Sequence, residues 1–123
     1  MKKVNIIVTQ SPYGKEDAFG AIPMAATQAA VGNEPSVIFV SGGVYSVVKG
    51  QKTGYGDATV WGRDVPSVEA EMQKNMELVK FYALETDLEK RAVADGELVD
   101  GVQKLTPGQL TDMILEAEVT LVF

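Results

Sequence analysis

The sequence predicts an α/β protein of three layers, α/β/α, with a five-stranded, mainly parallel sheet between its helices. Two observations predict this fold class. Short apolar runs occur five times along the 123 residues, and segments with the apolar spacing of helices separate them. Strands joined through helical crossovers pair in parallel and carry helices on both faces. The length suits a single domain over residues 1–123.

The first half of the chain predicts two strands and two helical segments. Lys3 to Thr9 is a short run of buried-strand type, and Asp17 to Val31 is an Ala-rich helix. Pro23 either kinks this helix or marks its true start. Ser36 to Ser41 predicts a second buried strand, after which Gly42 and Gly43 allow a tight turn into a short helix with the sequence VYSVV.

The middle of the chain begins with residues 50–64, which hold four glycines and no regular period. They predict a long loop with a short strand near Ala58 to Trp61. Pro66 and Ser67 then open a helix whose apolar positions have helical spacing: Val65, Val68, Met72, Met76 and Val79. Phe81 to Leu84 is the third strand. A short charged helix over Asp87 to Val93 follows, with an Asp87/Arg91 pair at i, i+4.

The last part of the chain carries the clearest helix start. Val99 to Leu105 predicts a fourth strand that Gly101 makes irregular. Thr106 is the N-cap of the next helix, with Pro at the first helical position and Gln109 at the third. The apolar stripe behind them is Leu110, Met113, Ile114 and Ala117, and Val119 to Phe123 is the fifth strand.

Composition excludes several kinds of chemistry. The chain has no Cys and no His, so it has no thiolate nucleophile, no imidazole shuttle and no cysteine- or histidine-ligated metal. We expect no cofactor, no metal site and no catalysis by this chain alone. Residues 1–63 hold six basic and four acidic side chains, whereas residues 64–123 hold five and thirteen. This acidic half argues against a nucleic-acid partner.

Location follows from the apolar runs. The start, MKKVNIIV, has too short an apolar stretch for a signal peptide, and no run approaches the roughly 20 residues that span a bilayer. We therefore expect a cytoplasmic protein without membrane contact.

Candidate functional residues lie where the predicted strands end, because ligands and partners of open parallel sheets meet the loops at that edge. Ser11, Tyr13 and Lys15 could hold an anion at the start of the Asp17 helix, or form an ordinary turn. Tyr45, Tyr55 and Trp61 could anchor a partner or cover the core. The full set of loop candidates is Gln10, Ser11, Tyr13, Gly14, Lys15, Ser41, Gly42, Gly43, Tyr45 and Glu85. Nucleotide-binding glycine motifs and a calcium loop are absent.

The order of these pieces resembles the DsrE/DsrF-like sulfur-relay family, with the greatest likeness to its DsrF/TusC type subunit. The resemblance lies in a strand followed by TQSPYGKEDAFGAIPMAATQAA, then VIFVSGGVYSVVKGQ, YALETDLEKRAV and LTPGQLTDMILEAEVTLVF. Its matching positions are Pro12, Gly14, Gly43, Val44, Tyr45, Gly50, Gln51 and Phe123.

The resemblance implies a five-stranded parallel sheet and assembly into homotrimers, homohexamers or heterohexamers. DsrE/TusD type members carry a Cys that holds persulfide sulfur, and some TusC-like chains have one near Leu84. This chain has neither. Besides an enzyme acting on its own, two functions remain open at this point. One is a non-catalytic structural subunit of a sulfur-relay complex that meets Cys-bearing DsrE/TusD-like chains. The other is a homo-oligomer that binds a small anion or metabolite in the same loops.

Overall fold

A single five-stranded sheet organises the protein. The computed structural model describes residues 2–13, 17–51 and 67–123, so the predicted strand near residues 58–61 lies outside the described part. All strand pairs are parallel and their spatial order is β4-β3-β2-β1-β5. The strands are β1 (Lys3–Val8), β2 (Glu34–Phe39), β3 (Lys80–Leu84), β4 (Gln103–Leu105) and β5 (Val119–Val122). The predicted fold class is confirmed.

Four α-helices and two 3-10 helices connect the strands within the described ranges. The α-helices are α1 (Asp17–Ala30), α2 (Val68–Lys74), α3 (Glu85–Lys90) and α4 (Pro107–Glu116). The 3-10 helices cover Ser41–Val47 and Asp95–Glu97. Helix α1 begins at Asp17 and continues through Pro23, so the proline does not mark its start. None of these helices has the length and apolar composition that a membrane crossing needs.

One face of the sheet, which we call the closed face, is covered by most of the helices. Its side chains alternate along each strand with those of the other face. Ile6 of β1, Phe39 of β2 and Phe81 of β3 point to it and are almost completely buried. They belong to one core cluster with Ile22 of α1, Met72 of α2 and Leu88 of α3. This cluster is the main hydrophobic core.

The opposite face, which we call the open face, is covered by α4. A smaller cluster holds the buried residues Ile7, Ile38 and Leu105, against which Leu110 and Met113 of α4 pack. The predicted start of α4 is confirmed, since Thr106 Oγ1 accepts from the Gln109 N–H and Gln109 Oε1 accepts from the Thr106 N–H. Thr106 therefore determines the residue at which helix α4 begins.

Several local predictions were wrong. Helix α3 covers Glu85–Lys90 and not Asp87 to Val93, and β4 starts at Gln103 and not at Val99. Helix α2 ends at Lys74 and does not reach Val79, because Asn75 leaves the helical conformation and its side-chain Nδ2 donates to the Glu71 carbonyl at 2.8 Å. The Asp87/Arg91 ion pair is not among those of the described residues. Both side chains have other partners, which are described below.

Candidate functional site

The carboxyl ends of β1, β2 and β3 meet at one edge of the sheet, as the parallel pairing requires. We call this the carboxyl edge, and it consists of residues 9–13, 41–45 and 84–87. The 3-10 helix after β2 and helix α3 after β3 both start there. The edge therefore brings together three of the loops in which the sequence placed its candidates.

Glycines let the 3-10 helix lie directly against the loop after β1. A Cβ atom on Gly43 would overlap the Val8 carbonyl group, with its carbonyl carbon at 2.9 Å. A Cβ on Gly42 would lie 3.5 Å from the Thr9 carbonyl oxygen and 3.6 Å from the Ser11 backbone nitrogen. Glycine is required at position 43 because the atoms that would collide belong to the backbone, which cannot move aside cheaply.

Ser41 joins β2 to helix α3 through its backbone. Its φ of 50° lies in the left-handed region, which a serine rarely adopts. The Ser41 N–H donates to Asp87 Oδ2 at 2.7 Å, a short bond in which the acceptor is a carboxylate. This bond occupies Asp87 and holds the second and third loops together.

Two tyrosines present aromatic surface at the carboxyl edge. Tyr45 is 37% exposed and Tyr13 is 46% exposed. The Arg91 guanidinium carbon lies 5.9 Å from the centre of the Tyr45 ring, a cation–π distance. The Tyr13 N–H donates to Ser11 Oγ at 3.2 Å, so a local turn forms there. The structure thus shows turn geometry at Ser11 and keeps both rings accessible.

Gln51, the last described residue before position 67, is held in place by hydrogen bonds of its side chain. Its Nε2 donates to the Ser46 carbonyl, and its Oε1 accepts from the Glu69 N–H at 3.2 Å. Glu69 Oε1 in turn accepts from the Gly50 N–H at 2.9 Å. Gly50 has a φ of 75°, which suits glycine. The Gly-Gln pair singled out in the sequence therefore ties the 3-10 helix to α2.

Other sequence candidates are placed as follows. Gln10 is exposed directly after Thr9, and Glu85 is half-buried at the start of α3. Gly14, Lys15, Tyr55 and Trp61 lie outside the described residues.

A 2.8 Å hydrogen bond to Asp95 raises the pKa of Lys104, and the negative charges of Glu85 and Glu89 add to this. The carboxylates of Asp95, Glu85 and Glu89 therefore surround Lys104 with negative charge.

The carboxyl edge carries few charged side chains that contact one another. Among the described residues, no group of His, Cys, Asp and Glu is arranged to hold a metal ion. At this edge the carboxylate of Asp87 accepts from the backbone N–H of Ser41. The edge presents two accessible aromatic rings and the hydroxyl of Ser41, which is exposed.

A second concave site lies at the other end of the sheet and was missed by the sequence interpretation. It is a cavity of about 490 Å³ on the open face, at the amino ends of β1, β2 and β3. Asn5, Ser36, Lys80 and Tyr82 are among its lining residues. The signal in the sequence was a polar residue within each of the first two strands, at Asn5 and Ser36. A strand buried on both faces is normally apolar throughout.

Comparison with known proteins identifies the family. The sequence model of the DsrE/DsrF-like family matches residues 2–123, and the chain belongs to that family. Among curated proteins, the "Uncharacterized protein MJ0989" of Methanocaldococcus jannaschii is 39% identical over 49 residues. That match covers 40% of this chain and 43% of the relative, so it spans less than half of either protein.

Two solved structures share the fold over the full length of both chains. The ychN protein from E. coli has a TM-score of 0.84 at 23% identity, with 100% of each chain covered. The "Protein of Unknown Function MTH1491" from Methanobacterium thermoautotrophicum has a TM-score of 0.76 at 13% identity, again with 100% of each chain covered. These likenesses support the fold that the strand order and register define.

Proposed function

We propose that this chain is a non-catalytic structural subunit of a cytoplasmic sulfur-relay complex, of the DsrF/TusC type. In this proposal a Cys-bearing DsrE/TusD-like chain carries the persulfide, and the present chain shapes the assembly around it. The observation that carries the proposal is the absence of Cys and His from a chain that matches its family over residues 2–123. Sulfur carried as a persulfide needs a thiol, which this chain cannot supply.

The carboxyl edge is the surface that we assign to subunit contacts. Tyr13 and Tyr45 are exposed there, and tyrosines are enriched at the centres of protein interfaces. The backbone next to Tyr45 is held by the close approach of Gly43 to Val8 and by the bond between Ser41 and Asp87. A surface that is already ordered loses little entropy when a partner binds.

The side chain of Leu84 favours a structural role at this edge over a chemical one. It is the last residue of β3, it is half-buried, and it precedes Glu85 and helix α3. On the resemblance, this is the place where some TusC-like chains have a cysteine. An alkyl side chain there can pack against a partner but cannot accept sulfur. The reacting thiol of the assembly then belongs to the partner.

Native mass spectrometry of the complex tests the proposal. The tagged chain is co-expressed with a Cys-bearing DsrE-family chain from the same organism, purified through the tag and sprayed intact. We expect a trimer or hexamer that contains both chains, with any added sulfur on the partner. A pure homo-oligomer that retains a small anion or metabolite would contradict the proposal and favour the alternative binding function. Sulfur bound covalently to the present chain would also contradict it.

A matched pair of variants locates the contact. Tyr45→Ser removes a ring at the carboxyl edge, whereas Val31→Ser removes an exposed apolar side chain beyond the end of α1, next to the amino ends of the strands. Val31 is 68% exposed. We expect Tyr45→Ser to weaken association with the partner by about tenfold or more, and Val31→Ser to change it by less than about twofold. Equal effects would show that the contact lies elsewhere.

A further inference from the structure

The open face carries a polar band where a parallel sheet is normally apolar. The strand register places Asn5 of β1 beside Ser36 of β2, and Ser36 beside Lys80 of β3. Side chains of residues paired in this way point to the same face. Asn5 is only 3% exposed and Ser36 is half-buried. Three neighbouring strands therefore present an amide, a hydroxyl and an ammonium group in one row.

This row forms part of the wall of the 490 Å³ cavity on the open face. The volume falls within the range of roughly 300–1,000 Å³ that small-molecule sites occupy. The Asn5 side chain is held in place because its Nδ2 donates to the Met113 carbonyl of α4 at 2.9 Å. Apolar side chains line the cavity as well, namely Met76, Leu78 and Met113. It combines a polar row with apolar surface.

The charged groups at the cavity have both signs and are largely unpaired. Lys80, Glu34 and Glu77 line it, and none of these three takes part in the ion pairs found in the described part of the chain. Lys3 and Glu116 also line the cavity and lie 3.8 Å apart. The side chains of Lys80, Glu34 and Glu77 are all exposed, and a ligand with a single charge would pair with groups of only one sign. A ligand with both charges would satisfy both.

We propose that this cavity binds a free α-amino acid with an apolar side chain. The carboxylate lies against Lys80 and Ser36, the ammonium group lies towards Glu77 and Glu34, and the side chain packs against apolar lining residues such as Met113. Charge-assisted hydrogen bonds of this kind are stronger than neutral ones. The adjacent ammonium and hydroxyl of the row supply two donors for one carboxylate.

This site is separate from the carboxyl edge. It lies at the amino ends of the strands, with Lys80 at the first position of β3, whereas the proposed partner contact follows the last position. The inference therefore stands or falls independently of the sulfur-relay proposal. The amino acid would then bind the assembly at a site away from the surface that contacts the partner.

The test is a titration of the full chain with L-leucine, in which NMR measures the amide chemical shifts at each leucine concentration. We expect saturable shifts at Asn5, Ser36 and Lys80, with smaller ones at Ser41. Lys80→Gln removes the charge of an exposed lysine and should weaken binding about fivefold. Lys74→Gln is the control, since Lys74 is an exposed lysine of α2 whose ion pair is with Glu71. It should leave binding within about twofold.

Two leucine analogues separate the charges. L-leucinamide lacks the carboxylate, and 4-methylpentanoate lacks the ammonium group. Each should bind about tenfold more weakly than leucine if both charges are recognised. Absence of saturable leucine binding, or binding that Lys80→Gln leaves unchanged, would overturn the proposal. Shifts at the same amides that follow protein concentration instead of leucine would also overturn it, because the cavity would then be a contact between copies of the chain.

Discussion

The two faces of the sheet differ in how completely they are covered. On the closed face, three α-helices and a 3-10 helix bury an apolar cluster that includes Ile6, Phe39 and Phe81. On the open face, α4 covers the carboxyl half, and a polar row with a cavity occupies the amino half. The closed face therefore supplies stability, and the open face retains room for a ligand. Parallel sheets are normally covered on both sides, so the partly covered face is the more informative one.

The largest expected effect tests the close packing at the edge of the closed face. Gly43→Ala places a methyl group onto the Val8 carbonyl and should lower the free energy of unfolding by about 4 kcal/mol or more, or prevent folding. Gly96→Ala is the control because no atom lies within 4 Å of its Cβ position. We expect it to change stability by less than about 0.5 kcal/mol in urea denaturation. A tolerated Gly43→Ala would contradict the described backbone approach.

A pair of isoleucines compares the helices on the two faces directly. Ile22 of α1 is fully buried, whereas Ile114 of α4 is 41% exposed. Ile22→Ala should cost about 2–5 kcal/mol, and Ile114→Ala about 1 kcal/mol or less. Both substitutions remove the same atoms from a helix, so the difference reports burial. Equal losses of stability would show that something covers Ile114 in solution, which analytical ultracentrifugation of the wild-type chain would then reveal.

Asn5 provides a more local test of the open face. Asn5→Ala removes the hydrogen bond to the Met113 carbonyl and should cost about 1–2 kcal/mol. We expect amide hydrogen exchange to become faster in α4 while α1 stays protected. Equal acceleration in both helices would mean that Asn5 supports the whole fold and does not fasten α4 in particular.

The smallest effect concerns the start of α4. Thr106→Ala removes the N-cap and should cost about 1 kcal/mol. Thr111→Ala is the matched control, since Thr111 lies inside the same helix and its Oγ1 donates to the Pro107 carbonyl. Chemical denaturation of both variants measures the difference. A larger loss from Thr111→Ala would contradict the capping role of Thr106.

Much of the fold could be predicted from local pattern. The capping residues of α4, the five apolar runs and the two glycines after β2 each have a local physical cause, and the structure contains the corresponding elements. Helix α2 was predicted too long because Met76 and Val79 continue the helical spacing. Asn75 is the C-cap of the helix and its side chain donates to the Glu71 carbonyl, and spacing carries no information about such a bond.

The carboxyl edge was predicted from the sequence, whereas the cavity on the open face was not. Parallel topology placed Ser41, Gly43 and Glu85 at one edge, because strand order fixes which ends meet. The partners of Asp87 and Arg91 were missed, since the Ser41 N–H and the Tyr45 ring approach them only after the chain has folded. The polar cavity was missed for a related reason. Asn5 and Ser36 become neighbours only through the register of β1 and β2.

The most direct test of the central claim measures sulfur transfer by the Cys-bearing partner. The partner is loaded with persulfide, and the rate at which it passes sulfur to an acceptor thiol is measured alone and with the present chain. We expect the chain to show no transfer by itself and to raise the partner's rate about tenfold or more through orientation within the complex. Turnover by the isolated chain, or a partner rate that its addition leaves unchanged, would contradict the claim that this subunit organises a reaction it cannot perform.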